Sequence, residues 1–292
     1  MSAGTRRREP HWTPGRRVVL AHRGASAEAP ENTLPAFALA ELQGADALEI
    51  DVRLTADGVV VVHHDDTTDR LTNGRAPVRA LTLEALRRFD AGYRFTMDGG
   101  RTFPYRGRGV VVPTLAEVFA AHPTLGINVD LKDHDPEMAR AIVETIHRAG
   151  AADRTLVTSF DVSVLAEVRR LDGRIATGLA QAEVRAFYIA YWVGRCIPGR
   201  TPRDTGERIR KTGRLPESSV ALQIPPRHRG LALVTRGAVA AAHAARLAVH
   251  VWTIDDPIEM RRLLAAGADG IVTNRPSLAR EVVDRFPPTG QG

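Results

Sequence analysis

The sequence predicts a (β/α)8 barrel with an insertion after the second strand and a longer loop between the fifth and sixth strands. From residue 17 onward, short runs rich in β-branched residues alternate with stretches whose apolar residues recur at helical spacing. Eight strand-like runs over ~250 residues are typical of such a barrel. The runs are RVVLAH (17–22), ALEIDVRL (47–54), LGINVDLK (125–132), RTLVTSF (154–160), RIATGLA (174–180), SVALQIP (219–225), AVHVWTI (248–254) and DGIVTN (269–274).

The stretches between these runs predict helices, and glycine follows several of them. An open, doubly wound sheet is the alternative. It is disfavoured because HRGAS follows the first strand, where a dinucleotide-binding sheet carries its glycine-rich fingerprint. We therefore expect a TIM barrel whose helices include TLPAFALAELQG, PEMARAIVETIHRAG, SVLAEVRRL, AVAAAHAARL and PIEMRRLLAAG.

Two segments exceed a minimal barrel. Residues 55–112 follow the second strand, and their letters indicate a turn (TADG), an extra strand that folds back (GVVVVHHD) and a short helix (TLEALRRFDAG). Residues 181–218 lie between the fifth and sixth strands. Because both segments follow a barrel strand, we expect them at the active-site face.

The predicted domain organisation is a single barrel at residues 17–285, preceded by a basic flexible tail at 1–16 and followed by a tail at 286–292. A chain of 292 residues with 43% hydrophobic residues is long enough for one substantial core.

The charge is unevenly distributed. The formal net charge is +6, but residues 1–17 and residues 200–214 carry +4 each, so the rest of the chain carries −2. This distribution argues against a nucleic-acid groove across the domain, and it indicates local attraction to phosphate or to an anionic surface.

The only cysteine, Cys196, excludes an intrachain disulfide framework and a cysteine-rich zinc site. No apolar run has the length of a signal peptide or of a membrane span. These features predict a cytoplasmic protein.

Acidic residues stand near the ends of two predicted strands. Glu49 and Asp51 are two residues apart, so their side chains project to the same face, and Asp130 lies near the end of the third strand. Three carboxylates at one end of a barrel repel each other unless a cation neutralises them. Because the ligands are oxygen atoms, we expect one hard divalent cation, Mg²⁺ or Ca²⁺.

Histidines and basic residues stand at the same predicted strand ends. His22 and His64 come from separate strands and are suited to proton transfer near neutral pH. Arg23 and Lys132 are suited to bind phosphate oxygens. We expect His63 to be structural, because it points away from the face of His64. Each residue alone has an ordinary structural interpretation, but together they favour a shared ligand.

The chain resembles the glycerophosphodiester phosphodiesterase family over about residues 17–280. The resemblance is carried in order by HRG (22–24), ENT (31–33), EID (49–51), HDDTTDRLTNG (64–74), PTLAEVF (113–119), VDLK (129–132), WTI (252–254) and DGIVTNRP (269–276). It implies a TIM barrel with an insertion after the second strand, dependence on a divalent metal, and hydrolysis of a glycerophosphodiester to glycerol 3-phosphate and an alcohol.

The resemblance also implies a role for each matching residue. This chain departs from the family's pattern at Asp130, where a glutamate is usual. The side chain of this implied metal ligand is therefore shorter by one methylene. The implied roles are an acid/base pair, His22 and His64; metal ligands, Glu49, Asp51 and Asp130; phosphate contacts, Arg23 and Lys132; and an aromatic neighbour of the substrate, Trp252.

Two rival functions remain at the level of sequence. One is a lysophospholipase D-type phosphodiesterase that acts on lysophospholipids with the same residues, and the other is a non-catalytic barrel that binds phosphate or lipid. The expected partner is a small phosphodiester and not a nucleic acid. The sequence leaves open the head group, the native metal, which histidine is the acid, and the oligomeric state.

The segment 181–218 combines the aromatic run FYIAYW (187–192) with the basic stretch 200–214. Such a pair could bind an acyl chain or contact anionic lipid at the periphery of a membrane. The alternative is a helix that covers the barrel rim, with solvated arginines beside it.

Overall fold

The fold is a closed TIM barrel, as the sequence predicts. In a computed structural model, which describes residues 12–212 and 215–286, eight parallel strands form the barrel wall. These strands are β1 (Val18–His22), β2 (Ala47–Leu54), β4 (Gly126–Leu131), β5 (Thr155–Thr158), β6 (Ala176–Gly178), β7 (Ser219–Ile224), β10 (Ala248–Val251) and β11 (Gly270–Thr273).

The barrel closes because β1 pairs in parallel with both β2 and β11. The register sets Leu20 opposite Ala47 on one side and Val18 opposite Gly270 on the other. The predicted extra strand after the second barrel strand is β3 (Val60–Val62), which runs antiparallel to β2. A two-stranded hairpin, β8 (Arg227–His228) and β9 (Leu231–Ala232), follows β7 outside the wall.

The helices form the outer layer, and several of them begin at an N-cap side chain. Thr114, Asp135, Thr235 and Asp256 each accept a hydrogen bond from a backbone N–H of the first turn. The helices are α1 (Leu34–Leu42), α2 (Leu83–Leu86), α3 (Leu115–Ala121), α4 (Pro136–Arg148), α5 (Val162–Leu171), α6 (Gln181–Arg195), α7 (Pro202–Lys211), α8 (Arg236–Ala244), α9 (Pro257–Ala265) and α10 (Pro276–Asp284).

The predicted longer loop between the fifth and sixth barrel strands consists largely of two helices, α6 and α7. The start of α7 shows why. Thr201 caps it in a capping box with Asp204, and Pro202 occupies the first turn. The basic residues of this segment therefore lie mostly on a helix, while residues 213–214 fall outside the described part of the chain.

The insertion at residues 55–112 carries a small core of its own. It contains β3, a 3₁₀ turn (Val78–Ala80) and α2, and its buried apolar side chains pack together. These side chains belong to Val61, Val78, Leu86, Ala91, Val110 and Val112. The small core holds the segment that follows β3 in place at the mouth of the barrel.

The prediction of a flexible tail at 1–16 is wrong for residues 12–16. Trp12 is only 4% exposed and packs with inward-facing strand residues such as Leu20 and Leu156. The backbone N–H of Gly15 also donates to Asp269 Oδ1 at 2.7 Å. The apolar indole is buried because it fills the barrel interior. Residues 1–11 and 287–292 of the predicted tails lie outside the described residues.

Among the helices that the structure describes, none combines the length and the apolar character needed to cross a lipid bilayer.

Candidate active site

The site is a cavity of 630 Å³ at the carboxyl ends of the barrel strands. Strand residues alternate between the outer helices and the barrel interior, and polar residues occupy inward positions near these ends. All of the site residues predicted from the sequence line this cavity, namely His22, Arg23, Glu49, Asp51, His64, Asp130, Lys132 and Trp252.

Three carboxylates meet on neighbouring strands. The register of β2 and β4 places Asp51 directly beside Asp130, and Glu49 lies one inward position earlier on β2. Each of the three offers an oxygen that lies within 4.8 Å of the other two, and all three side chains are buried. Burial, together with the charges of Asp51 and Asp130, raises the pKa of Glu49 well above its usual value.

Two basic side chains balance part of this negative charge. Lys132 Nζ lies 2.8 Å from Asp51 Oδ1 and 2.6 Å from Asp130 Oδ2, and Arg23 Nε lies 2.9 Å from Asp51 Oδ2. Burial opposes ionisation of Asp51, but the charges of Lys132 and Arg23 lower its pKa overall. Their buried surroundings make these cations well suited to hold an anion.

The donor set fits a divalent metal ion. Glu49 Oε2 is buried and has no hydrogen-bond partner among the described residues, and its carboxylate offers an oxygen within 4.8 Å of oxygens of the other two. An uncompensated buried carboxylate oxygen is costly unless a cation or proton satisfies it. Carboxylate oxygens are the ligands that Mg²⁺ and Ca²⁺ prefer, so Glu49, Asp51 and Asp130 would hold such an ion.

The turn after β1 aims Arg23 at the carboxylates. Arg23 has a φ of 57°, a left-handed conformation that is rare for residues with a side chain. Gly24 has a φ of 87°, and a Cβ there would lie 2.7 Å from backbone and side-chain atoms of Ala36. The backbone N–H of Arg23 donates to the carbonyl oxygen of Glu49 at 2.7 Å. This strained turn therefore depends on glycine at position 24.

His22 is oriented by the last barrel strand. Asn274 donates through its Nδ2 and backbone N–H to the carboxylate of Asp255, at 2.6 and 2.8 Å. Its Oδ1 must therefore accept the hydrogen bond from His22 Nδ1, at 2.7 Å. The ring's Nε2 is left facing the carboxylates, 3.9 Å from Glu49 Oε2. Burial and the charge of Arg23 lower the pKa of His22.

His64 is oriented by the segment after β3. Its Nδ1 lies 2.6 Å from Asp65 Oδ1, and Arg70 pairs with the other oxygen of Asp65. Burial raises the pKa of Asp65, but hydrogen bonds from Arg70 and His64 bring it down to about 2. Its neighbour His63 is buried outside the cavity, with Nε2 3.1 Å from the Thr67 carbonyl oxygen. His64 therefore lines the cavity and His63 does not.

The comparisons with known proteins identify the family of the chain. The model of the glycerophosphoryl diester phosphodiesterase family matches residues 22–278. The chain belongs to this family. The glycerophosphodiester phosphodiesterase of Caldanaerobacter subterraneus subsp. tengcongensis is 30% identical over 264 residues, which cover 89% of this chain and 94% of that protein.

Solved structures give the same result. The glycerophosphodiester phosphodiesterase from Agrobacterium tumefaciens superposes with a TM-score of 0.68 at 26% identity, covering 91% of this chain and 99% of the other. An Oleispira antarctica phosphodiesterase, solved with the product sn-glycerol-3-phosphate, gives a TM-score of 0.70 at 27% identity, covering 94% and 98%. Membership of the glycerophosphoryl diester phosphodiesterase family confirms that the chain is an enzyme, a phosphoric diester hydrolase.

Sequence reasoning missed two residues of this phosphodiesterase that hold the histidines, Asp65 and Asn274, and a third, Asp255, that holds Asn274. The sequence predicts no catalytic or binding role for any of these three residues. The only sign of them in the sequence is that they are polar residues at or after the ends of a predicted strand or hairpin. That signal does not say which side chain each of them contacts.

The aromatic run 187–192 lies on α6, where Phe187, Tyr188 and Tyr191 are buried. This supports the interpretation that the run covers the barrel rim as a helix. In addition, Tyr188 and Trp192 line the phosphodiesterase cavity. The sequence prediction of a lipid contact is not tested by this placement.

Proposed function

We propose that this phosphodiesterase hydrolyses glycerophosphodiesters to sn-glycerol 3-phosphate and an alcohol, with a divalent metal ion and two histidines. The observation that supports this proposal most strongly is the cluster of three buried carboxylates, whose ligand oxygens lie within 4.8 Å of one another. The same cavity also contains His22 and His64. The likeness to an Oleispira antarctica phosphodiesterase that was solved with sn-glycerol-3-phosphate supports the substrate class.

The phosphodiester is an anion, and the basic side chains of the cavity complement it. Arg23 offers a planar fork of N–H donors and Lys132 offers a compact positive charge. Both lie at the polar end of the cavity beside Asp51, at 2.9 and 2.8 Å. As the alcohol departs, negative charge shifts to its oxygen, and fixed cations in a buried site stabilise that shift.

The metal ion would be held by Glu49, Asp51 and Asp130. When bound, a divalent cation polarises a phosphoryl oxygen and neutralises charge in the transition state. The unpartnered Glu49 Oε2 is the feature of this chain that fits it best.

The two histidines supply the proton transfers. One accepts the proton of the attacking hydroxyl group, from water or from the neighbouring glycerol hydroxyl, and the other donates a proton to the oxygen of the departing alcohol. When water attacks, one P–O bond forms and one breaks. When the glycerol hydroxyl attacks, a cyclic phosphodiester forms as the alcohol leaves, and water then opens it to glycerol 3-phosphate, so either route consumes one water molecule. The Nδ1 atoms of His22 and His64 are held by Asn274 and Asp65, so each ring has its Nε2 free for the reaction.

The proposal includes a cytoplasmic location. A lone, exposed Cys196 supports a reducing compartment.

The test is an assay of sn-glycerol 3-phosphate released from glycerophosphocholine. We expect EDTA to abolish turnover and Mg²⁺ or Ca²⁺ to restore it, because Arg23 and Lys132 balance only part of the negative charge of the three carboxylates. His22→Ala and His64→Ala should each lower kcat by ~10²–10⁴-fold, the usual contribution of a general acid or base.

His63→Ala is the matched control, since this histidine neighbours His64 but lies outside the cavity. It should lower kcat far less. Full turnover after exhaustive chelation would refute the metal, and a loss with His63→Ala as large as with His64→Ala would refute the assigned pair.

A further inference from the structure

Two charged residues near the site have no part in the proposed mechanism, although each lies in a segment that carries the family resemblance. Glu31 belongs to ENT (31–33), which follows β1, and Arg70 belongs to HDDTTDRLTNG (64–74), which follows β3 in the insertion. In the structure the two segments meet at the guanidinium group of Arg70. This group pairs with a carboxylate from each of them, Glu31 and Asp65.

Arg70 joins the two carboxylates with three nitrogen atoms. Its Nη1 and Nη2 donate to the two oxygens of Glu31 at 2.9 and 2.7 Å, and its Nε donates to Asp65 Oδ2. A two-pronged arginine–carboxylate pair fixes the orientation of both groups as well as their distance. The backbone nearby is held as well, because the N–H of Thr68 donates to the Ala76 carbonyl oxygen at 3.0 Å.

Each of these carboxylates also holds a residue of the proposed mechanism. Asp65 Oδ1 lies 2.6 Å from His64 Nδ1, and Glu31 Oε1 accepts a hydrogen bond from Arg23 Nη1 at 2.8 Å. Burial opposes ionisation of Glu31, but the hydrogen bonds from Arg70 and the charge of Arg23 lower its pKa. Arg70 is therefore one carboxylate away from His64 on one side and from Arg23 on the other.

The ion pairs of Arg70 do not include the substrate's own surroundings. Neither Arg70 nor the carboxylates of Glu31 and Asp65 are among the described residues that line the cavity. Any effect of Arg70 on the reaction must therefore act through the two side chains that its partners hold.

We propose that Arg70 is a positioning residue, which sets the orientation of His64 through Asp65 and that of Arg23 through Glu31. This inference rests on the proposed function, because it takes from it the roles of His64 and Arg23. The ion-pair chain has two branches with different effects on turnover. The Asp65 branch acts on proton transfer and therefore on kcat. The Glu31 branch acts on a group that holds the phosphate in the bound substrate and in the transition state, and therefore on KM.

The experiment measures kcat and KM for release of sn-glycerol 3-phosphate from glycerophosphocholine, with Mg²⁺ or Ca²⁺ supplied. Arg70→Ala should lower kcat, raise KM and reduce kcat/KM by ~10–100-fold, the usual effect of removing a partner that orients a site residue. Asp65→Asn should mainly lower kcat, and Glu31→Gln should mainly raise KM. Arg70→Lys should restore little, since one ammonium group cannot replace a planar fork on two carboxylates.

Arg79→Ala is the matched control, because Arg79 is another arginine by which the insertion is tied to the barrel. Its side chain is 42% exposed, against 45% for Arg70, and its Nη2 lies 2.5 Å from Glu137 Oε2 and 3.5 Å from Asp135 Oδ2 at the start of α4. Arg79→Ala should leave kcat and KM close to those of the parent. A loss as large as that of Arg70→Ala would show that any loosening of the insertion slows the enzyme, and would overturn the proposal.

Double variants separate the two branches. When Asp65→Asn is already present, adding Arg70→Ala should change KM but not kcat, and when Glu31→Gln is present it should change kcat but not KM. If Arg70→Ala changes both constants to the same extent in both backgrounds, the proposal fails. The proposed function stands in that case, as long as the parent turns over glycerophosphocholine.

Absence of turnover in the parent would refute the proposed function instead. The Glu31 branch would then be decided by calorimetric titration with sn-glycerol 3-phosphate. Weaker binding by Arg70→Ala than by the parent and Arg79→Ala supports the positioning role, whereas equal affinities, or no binding by the parent, refute it.

Discussion

At the level of single residues, the barrel interior contains a buried histidine that the proposed mechanism does not use. His250 is 0% exposed, and its Nδ1 lies 3.2 Å from Gln223 Nε2. Its ring centroid is 5.9 Å from that of Trp12. Burial lowers the pKa of His250 to about 4, so the ring is neutral at pH 7.

This histidine predicts a pH dependence of stability. Its pKa is about 4 in the folded chain and ~6.5 in the unfolded chain, so below pH 6.5 the unfolded chain binds a proton that the folded chain does not. The free energy of unfolding should therefore fall by up to about 3 kcal/mol as the pH drops from 6.5 to 4. Urea unfolding between pH 7 and pH 5 measures this slope.

His250→Leu should be less stable at neutral pH but should lose less stability on acidification. His134→Leu, which alters a histidine at the surface after β4, is the comparison. If the slopes of the parent and His250→Leu coincide, the loss at low pH comes from other groups.

The site residues show what sequence can predict at this scale. Alternation along a strand brings Glu49, Asp51 and Asp130 to one end of the barrel, and the structure places them there. The contacts of Asp65 and Asn274 with the histidines are not visible in the sequence. They depend on the path of a loop and on the pairing of strands that lie far apart in the chain.

At the level of elements, the two helices between β6 and β7 differ from the loop that the sequence predicts. From the sequence alone, the basic stretch 200–214 would be expected to be solvated. In the structure, α7 forms within it, with an N-cap at Thr201 and packed against α8. Tertiary packing outweighs weak local propensity here. The close approach of α7 to α8 occurs at Gly206, where a Cβ would lie 2.0 Å from the Ala241 carbonyl oxygen.

Gly206→Ala should lower the free energy of unfolding by about 1–3 kcal/mol, because the added methyl group forces α7 away from α8. Alanine improves intrinsic helix propensity by up to ~1 kcal/mol, so a gain in stability would show that the close packing has been misjudged. Urea denaturation gives the comparison. Gly173→Ala is the control, since its added Cβ would lie 3.6 Å from the Arg169 carbonyl oxygen and should be tolerated.

At the level of the whole molecule, one end of the barrel forms the active-site cavity and the rest of the interior forms an apolar core. The carboxyl ends of the strands carry the cavity, and the interior below it is filled by apolar side chains that include Trp12. The alternation of strands and helices predicts this architecture. It does not predict Trp12, because the segment before the first strand has a polar, basic composition and no periodicity.

Trp12→Ala should lower the free energy of unfolding by about 3–5 kcal/mol, since it leaves a large cavity in the barrel. Trp192→Ala is the control, because that indole is 43% exposed. Thermal or urea unfolding should show a much larger loss for Trp12→Ala. Equal losses would mean that the interior relaxes around the missing ring.

The hydrogen bond between His22 and Asn274 joins positions that are 252 residues apart. At a synthesis rate of ~5–20 residues per second, the ribosome needs roughly ten to fifty seconds to travel from one to the other. Throughout that interval the nascent chain holds His22 without the acceptor that fixes its tautomer. The enzyme can therefore hydrolyse its substrate only after the last barrel strand has been translated and has paired with the first. Turnover then reports directly that the barrel has closed.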